Sequence, residues 1–510
     1  MASPLAKNIV IVGGGTAGWM SAAALAHLLP DECAVTLVES QQIGTVGVGE
    51  ATIPHIRYFN QLLGISERDF MQTTGATYKL AIEFTGWGDS ASRYMHPFSA
   101  FGADLGGVGF HHHFLSARAN GAKFSLDDFS LSAQLAQGNR FAPPPDEAGL
   151  GYGYAYHLDA TAYASFLRRY AEARRVERYE GKVDRVKTSA DDGRVQALIL
   201  ESEEVIDGDL FIDCSGFRSL LLGQTLGVPF ESWRHWLPCD RAVAQASDPL
   251  TPLPSYTRSS ATASGWQWCI PLQHRTGNGQ VYCSESLSDD EACAQLQGAL
   301  NSVPVSDPNF IRFEAGCRSR SWEKNCIAIG LSSGFLEPLE STSIYLIQMA
   351  IVKLLEFFPC TDENLSREAF NRWMSMEYRR VRDFLILHYH LNRRDDSDFW
   401  RYCATMDIPI SLQEKIELFR ESAVVQSYDQ GLFAEPSWLA VYLGQGLLPS
   451  SWDSRAASVP AAQVSRTLQG LASQLQKMAE SAPEHAEVIA RGGLKREPPA
   501  TMDLYGGARD

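Results

Sequence analysis

The chain has 510 residues, 45% of them hydrophobic and 20% charged, with a formal charge of −16 at neutral pH. That length suggests roughly two to four domains around a sizeable core, and the acidic balance argues against nucleic acid and anionic membrane as partners, because both would repel it. Ten cysteines are scattered without a C-x-x-C pair, as expected of reduced thiols in a cytoplasmic protein rather than a disulfide framework or zinc site, so no metal is expected.

The apolar run Asn8-Ile9-Val10-Ile11-Val12 stops at Gly13-Gly14-Gly15 and gives way, after Thr16-Ala17-Gly18-Trp19-Met20, to the helix-forming Ser21-Ala22-Ala23-Ala24-Leu25-Ala26. This is a strand, a tight turn and a helix. Gly13, Gly15 and Gly18 follow the G-x-G-x-x-G order: one for the turn, one for approach of a pyrophosphate, one for helix–strand packing. Thr16 and Ala17 open the helix, whose free N–H groups suit phosphates. A second run, Ala34-Val35-Thr36-Leu37-Val38, ends at Glu39, 21 residues beyond Gly18 and placed to accept hydrogen bonds from an adenosine ribose. The alternative is a signal peptide or membrane span, since residues 9–29 carry no Lys, Arg, Asp or Glu. Lys7 is a meagre positive region, no A-x-A site follows cleanly, and a span does not require phosphate-type glycine spacing.

Gly44, Gly47 and Gly49 make the stretch from Ser40 to Pro54 a loop. Beside a nucleotide site it reads as a strap over the cofactor, touching it through Val48, Gly49, Glu50 and Ala51; a plain flexible connection is the alternative. Helices are expected over Ile53–Leu63 and Ser66–Met71, the second opened by a Ser66-x-x-Asp69 cap. Thr77 to Thr85 alternates with period two, Tyr78, Leu80, Ile82 and Phe84 on one face and Lys79, Ala81 and Glu83 on the other. By that pattern alone Lys79 is a solvated strand lysine paired with Glu83. Residues 86–156 are rich in Gly, His and aromatics and broken by Pro143-Pro144-Pro145. His111-His112-His113 is not a metal site, because adjacent side chains on a helix point in different directions.

Asp159 is the expected N-cap of a helix reaching about Arg175, followed by strands near Lys182–Lys187 and Arg194–Glu201 and by Asp209-Leu210-Phe211-Ile212-Asp213. Asp213 resembles the acidic strand end that reaches the ribityl side of the flavin in FAD-binding folds of the two-dinucleotide type; an ordinary Asp–Ser–Gly turn is the alternative. No second G-x-G-x-x-G follows a strand, so no dedicated NADPH domain is expected and flavin reduction occurs elsewhere. Trp266-Gln267-Trp268-Cys269-Ile270-Pro271 sets two indoles on one strand face, ordinarily a core arrangement. A strand from Trp322 runs into a turn at Gly330-Leu331, and a long apolar helix is expected from about Ile344 to Phe358. The amides of Thr342 and Ser343 at its start favour a small anion; locally, Glu340 reads as a carboxylate capping the helix dipole. Glu377–Leu391, Leu412–Ser422 and Ala461–Met478 are the clearest helices of a mainly helical remainder. After Ala482 the composition turns to Pro, Gly and charge, expected of a mobile tail. The expected division is 1–358, 359–482 and 483–510.

Together these residues resemble the flavin-dependent tryptophan halogenase family. The carriers are Gly13 to Trp19, the Val46-to-Pro54 strap, Lys79, the Trp266-x-Trp268-x-Ile270-Pro271 motif and the run from Gly334 to Thr342. The tryptophan motif is the specific one, separating this family from FAD monooxygenases of similar fold. The resemblance implies an α/β protein: an FAD-binding Rossmann-like core, two-dinucleotide-binding and flavin monooxygenase-like, with a mainly helical C-terminal substrate-binding part and Gly330 and Leu331 beside the cofactor. It implies reduced FAD from a separate flavin reductase, O₂, and chloride or bromide held near Thr342 and Ser343, which together yield hypohalous acid. Lys79 would present the electrophilic halogen to an aromatic ring and Glu340 would steady the cationic ring and take its proton. Trp266, Trp268, Ile270 and Pro271 would keep substrate from the flavin. His96-Pro97-Phe98 resembles the substrate-facing loop, and Tyr442 is assigned to the substrate pocket.

Two departures stand out. Members specific for tryptophan carry a tyrosine pair and an acidic residue that grip the amino acid, whereas here Pro436 to Gly446 runs directly into Leu447-Leu448-Pro449-Ser450-Ser451-Trp452. The expected substrate is therefore indole or an indole derivative without the amino-acid handle. Ser343 stands where the family commonly has glycine. The competing expectations are an FAD-dependent aromatic monooxygenase and a flavin-binding protein without catalysis.

Overall fold

The structure is a computed structural model that describes residues 6–42, 49–145, 150–358, 363–429 and 431–505. Its organising element is a six-stranded sheet in the order Trp322–Glu323, Cys326–Ala328, Leu210–Asp213, Asn8–Val12, Ala34–Glu39, Glu177–Glu180. All neighbours run parallel except the outermost pair, Trp322–Glu323 with Cys326–Ala328. Asn8–Val12 is β-branched after its first residue and buried there, as a parallel strand covered on both faces requires. Val12 pairs with Val38 on one side and Asp213 on the other. The chain thus leaves its first strand in both directions, and the carboxyl ends of three strands meet where the order reverses, the position at which such sheets bind nucleotides. The Rossmann-like α/β class expected from the sequence is the class observed.

A second sheet of seven strands carries Gly265–Pro271 between Thr276–Tyr282 and Tyr256–Thr262, and ends in Ala81–Thr85 and Arg93–Pro97. A third, antiparallel, pairs Gly49–Ala51 and Thr77–Lys79 on either side of Ala155–Asp159. The alternating stretch 77–85 is therefore two strands in different sheets, divided at Leu80. Both faces of each are covered, so the period-two pattern marks no solvated face. Lys79 is 0% and Glu83 2% exposed, and Glu83 accepts hydrogen bonds from Arg93 at 2.6 Å and Arg258 at 2.7 Å. The Lys79–Glu83 pair does not form.

Ser66 and Asp159 cap their helices through the amides of Asp69 and Ala162. The later chain is helical over Glu363–His390, Asp398–Thr405, Ile410–Ser422, Glu435–Gly444 and Ala461–Ser481. The segment expected as a mobile tail packs back onto the protein as far as residue 505. His485 accepts from the amide of Tyr78 at 3.1 Å, the Tyr78 hydroxyl accepts from the amide of Leu494 at 2.9 Å, and Arg57 donates to the carbonyl of Pro498 at 2.5 Å. Leu504 and Tyr505 are buried. Composition misled here, because backbone partners and two apolar anchors hold this stretch.

The imidazoles of His111, His112 and His113 meet three different partners, Ala423, Asp453 and Leu105. Among the described residues no side-chain cluster suits a metal ion, no helix is long and apolar enough to cross a membrane, and no two cysteines are paired in a disulfide.

Candidate active site

A cavity of about 330 Å³ opens at the strand ends. It is lined by Gly13, Gly14, Gly15, Thr16 and Ala17, by Glu39, by Gly49, Glu50 and Ala51, and by Trp266, Trp268, Ile270, Leu331, Pro338, Leu339 and Ser343. The glycines are fixed by space. Gly13 has φ +112°, and a Cβ there would lie 2.3 Å from the carbonyl oxygen of Cys214; one on Gly18 would lie 1.8 Å from the carbonyl oxygen of Gly13. At Gly15 nothing lies within 4 Å of such a Cβ, so its backbone is open to a ligand. The helix Thr16–Leu28 has no side-chain cap and no acidic residue in its first turn, which leaves its amides for an anion. The Glu39 carboxylate is oriented by Arg178 at 2.5 Å and by the indole N–H of Trp19 at 3.3 Å. This open backbone, uncapped helix and carboxylate fit the diphosphate and ribose of FAD.

Glu50 is half-buried in the cavity wall, where removal from water pushes its carboxyl up to about 7. Gly330, with φ +75°, lies where a Cβ would come within 2.9 Å of the Ala17 Cβ, and its neighbour Leu331 reaches the cavity. Val48 lies outside the described residues. Asp213 departs from expectation. It is fully buried, and its carboxylate oxygens accept from the amide and hydroxyl of Ser215 at 3.0 and 2.5 Å and from the amides of Leu221 and Leu222 at 2.8 and 2.9 Å. The carboxylate folds the turn after its strand, and Cys214, Ser215 and Gly216 line the cavity instead.

Both indoles of Gly265–Pro271 are buried and face the cavity, 6.0 Å apart between ring centroids. The Trp266 N–H donates to Glu337 Oε2 at 2.9 Å, and the Tyr389 hydroxyl donates to the same oxygen at 2.5 Å. Burial pushes the Glu337 carboxyl up to about 7 against the pull of those two donors. Pro271 closes the motif by accepting from the Thr77 hydroxyl at 2.6 Å.

Neither Lys79 nor Glu340 lines that cavity. Lys79 Nζ donates to the carbonyl of Thr52 at 2.9 Å and to the hydroxyl of Ser341 at 2.7 Å, and lies 5.2 Å from the centroid of the Phe98 ring. Ser341 adopts φ +60° between the short helix Pro338–Glu340 and the helix Ser343–Glu356, so a left-handed turn presents its hydroxyl to Lys79 next to Glu340. Burial lowers the Lys79 ammonium to about 7, and the negative charge of Glu340 opposes that fall. Glu340 itself is 1% exposed. Burial would raise its carboxyl, but His96 and His388 outweigh that cost and hold it at about 2. His96 Nδ1 is 2.8 Å from Oε2, and His388 Nε2 approaches Oε1 to 2.7 Å, off the line of an ideal hydrogen bond.

His96 is thus a partner of the carboxylate rather than a free substrate-facing side chain, Pro97 is a buried strand residue paired with Ala81, and Phe98 reaches the lysine. Tyr442 stacks on Phe419 at 4.3 Å and packs against Trp438, within the helical part rather than against the Lys79–Glu340 pair. Thr342 is the N-cap of the helix Ser343–Glu356 and has a buried hydroxyl without a partner, while Ser343 lines the cavity. His388, Ser341 and Glu337 were not singled out by the sequence. His388 sits in the long helix Glu363–His390 among Phe384, Leu385 and Leu387, where a lone histidine reads as core.

A Rossmann-like sheet, a glycine-lined dinucleotide cavity and a tryptophan wall define a flavoprotein of the FAD-binding class. Residues 8–461 match the tryptophan halogenase family, and the chain belongs to it. It is a flavin-dependent halogenating enzyme. It is 38% identical over 475 residues to a tryptophan 6-halogenase of Streptomyces toxytricini, covering 86% of this chain and 90% of that protein. Among solved structures, a flavin-dependent halogenase from Xanthomonas campestris is 46% identical with a TM-score of 0.93, covering 97% of this chain and 100% of that one. A second, from Brevundimonas, is 44% identical with a TM-score of 0.92, covering 96% and 99%.

Proposed function

We propose that this enzyme halogenates indole, or an indole derivative lacking the amino-acid handle, using chloride or bromide, O₂ and reduced FAD delivered by a separate flavin reductase. One observation carries the reading: Lys79 and Glu340 are joined through Ser341 in a buried polar cluster outside the lining of the glycine-rich cavity. When bound, reduced FAD with O₂ supplies the oxidising equivalents that convert halide into hypohalous acid.

The chain's own residues do the rest. Thr342 and Ser343 hold the halide at the helix start, where amide N–H groups favour an anion. Trp266 and Trp268 bar the aromatic substrate from the flavin, so oxygen is not inserted directly. The Lys79 ammonium, with two N–H groups fixed by Thr52 and Ser341, gives its third to the oxidant's oxygen, which leaves as water while the halogen bonds to a ring carbon. Glu340, kept ionised by its imidazoles, stabilises the cationic ring and takes the proton released from that carbon, so that one proton given and one taken balance. The helical part expected over 359–482 covers the substrate.

The substrate assignment is supported by the missing tyrosine pair, since Pro436 to Gly446 runs directly into Leu447-Leu448-Pro449-Ser450-Ser451-Trp452. The test is an incubation of enzyme, FAD, a flavin reductase, NADH, O₂ and bromide with indole or tryptophan, read by mass spectrometry. A bromine isotope doublet on indole is expected. Equal or greater conversion of free tryptophan overturns the substrate assignment, and an oxygenated product without bromine makes the protein a monooxygenase.

A further inference from the structure

We propose that Glu337 and Tyr389 are positioning residues that tie the Trp266 wall of the glycine-rich cavity to the turn carrying Glu340. The inference deepens the preceding reading and rests on it for the role of Glu340. Glu337 and Glu340 bracket Pro338 and Leu339, which line the cavity. The two carboxylates therefore stand at the ends of one short wall segment, and both are held from the same place. His388 and Tyr389, successive residues at the end of the helix Glu363–His390, reach Glu340 Oε1 at 2.7 Å and Glu337 Oε2 at 2.5 Å. Glu337 Oε2 also accepts the indole N–H of Trp266 at 2.9 Å.

Both contacts of Glu337 converge on a single oxygen, because among the described residues its Oε1 has no partner. That oxygen is the one atom at which the wall, the turn and the helix end meet. The space between them is filled by Trp87, whose ring centroid lies 6.4 Å from that of Trp266, 5.9 Å from His388 and 5.4 Å from Tyr389. All these side chains are buried. In so closely packed a cluster a shift of the indole is passed on rather than absorbed, and a lost hydrogen bond is not replaced by bulk water. Neither Glu337 nor Tyr389 lines the cavity, so each acts on the reaction through the residues it holds. The consequence is that the barrier between flavin and substrate and the carboxylate serving the substrate are set by one shared fastening.

The experiment uses full-length protein carrying ¹⁵N-tryptophan and ¹⁵N-histidine, with Trp266→Phe and His388→Gln identifying the two sets of signals. In Glu337→Ala the Trp266 indole signal should move upfield as its acceptor is lost. The His388 imidazole signals should move as well, although His388 bears on Glu340 and not on Glu337. Tyr389→Phe, which removes one oxygen and keeps the ring, should move both sets by less, and it decides the matter should Glu337→Ala fail to fold. The turnover number for halogenation should fall about tenfold in Glu337→Ala with KM unchanged, whereas Glu337→Gln, which keeps a carbonyl acceptor, should stay within about twofold of the parent. His388 signals that stay in place in every folded variant overturn the proposal, as does an unchanged turnover number when they move. A loss in Glu337→Gln equal to that in Glu337→Ala also overturns it, since charge rather than placement would then be at work. The ¹⁵N signals need no turnover, so an enzyme that does not halogenate would overturn the functional reading and leave this one to be decided by the spectra.

Discussion

Two regions do opposite things with glycine and charge. The cavity at the strand ends is open and mostly apolar, and is shaped by side chains that are absent: at Gly13 and Gly18 a Cβ would collide with backbone, and at Gly15 the backbone stands open with nothing within 4 Å of a Cβ. The Lys79–Glu340 cluster is closed, and is shaped by partners that are present, with each charge buried and held by named donors and acceptors. A cavity of the first kind binds what carries chemistry with it; a cluster of the second kind is costly to bury and must itself be used. In the proposed reaction the contrast separates the making of an oxidant from its use.

The sharpest way to break that separation is Lys79→Ala, which should lower halogenation about a thousandfold or more while FAD still binds, as measured by turnover against flavin fluorescence titration. Glu340→Gln should cost about a hundredfold, again with FAD retained; loss of FAD would mean that the two regions are one. From the cavity side, Gly13→Ala should weaken FAD binding about tenfold or more, because the residue holds φ +112° and its Cβ would meet the carbonyl of Cys214. Lys79 should remain buried in that variant.

A pH experiment sharpens the cluster side. Lys79 is lowered in the folded protein from 10.5 to about 7. Between those values the unfolded chain holds a proton that the folded chain does not, so the lysine's contribution makes stability rise with pH across that window. Relative to Lys79→Met, the parent should therefore gain stability in urea titrations from pH 7 towards pH 10. Activity should move the other way, falling as pH rises through about 7, because the ammonium is the working form; a rise would assign the neutral amine. The smallest effect is expected at the helix start, where Ser343→Gly should change chloride–bromide competition by a few-fold, the scale of a charge at a helix terminus.

The dinucleotide half was legible because local rules specify it: β-branched strand, glycine spacing and terminal acid are all written within residues 8–39. Asp213 shows the limit of such reading. A strand-end acid is visible in sequence, but only the turn that follows decides whether its oxygens face a ligand or the amides of Leu221 and Leu222. The Lys79–Glu340 pair was illegible to pattern. Period two placed Lys79 in water because it could not register that the strand breaks at Leu80 and that both faces are covered. His388 reaches Glu340 through long-range packing, for which no local signal exists.

The docking of residues 483–505 also bears on how the enzyme fails. Lys495, Arg496, Thr501 and Met502 lie on an exposed path between buried anchors, the kind of stretch a protease cuts first. A nick there would release Tyr505 without touching any residue of the glycine-lined cavity. Such a clipped enzyme loses the buried anchors Leu504 and Tyr505 and should keep its affinity for flavin, so its damage would register as a lower melting point rather than as loss of flavin.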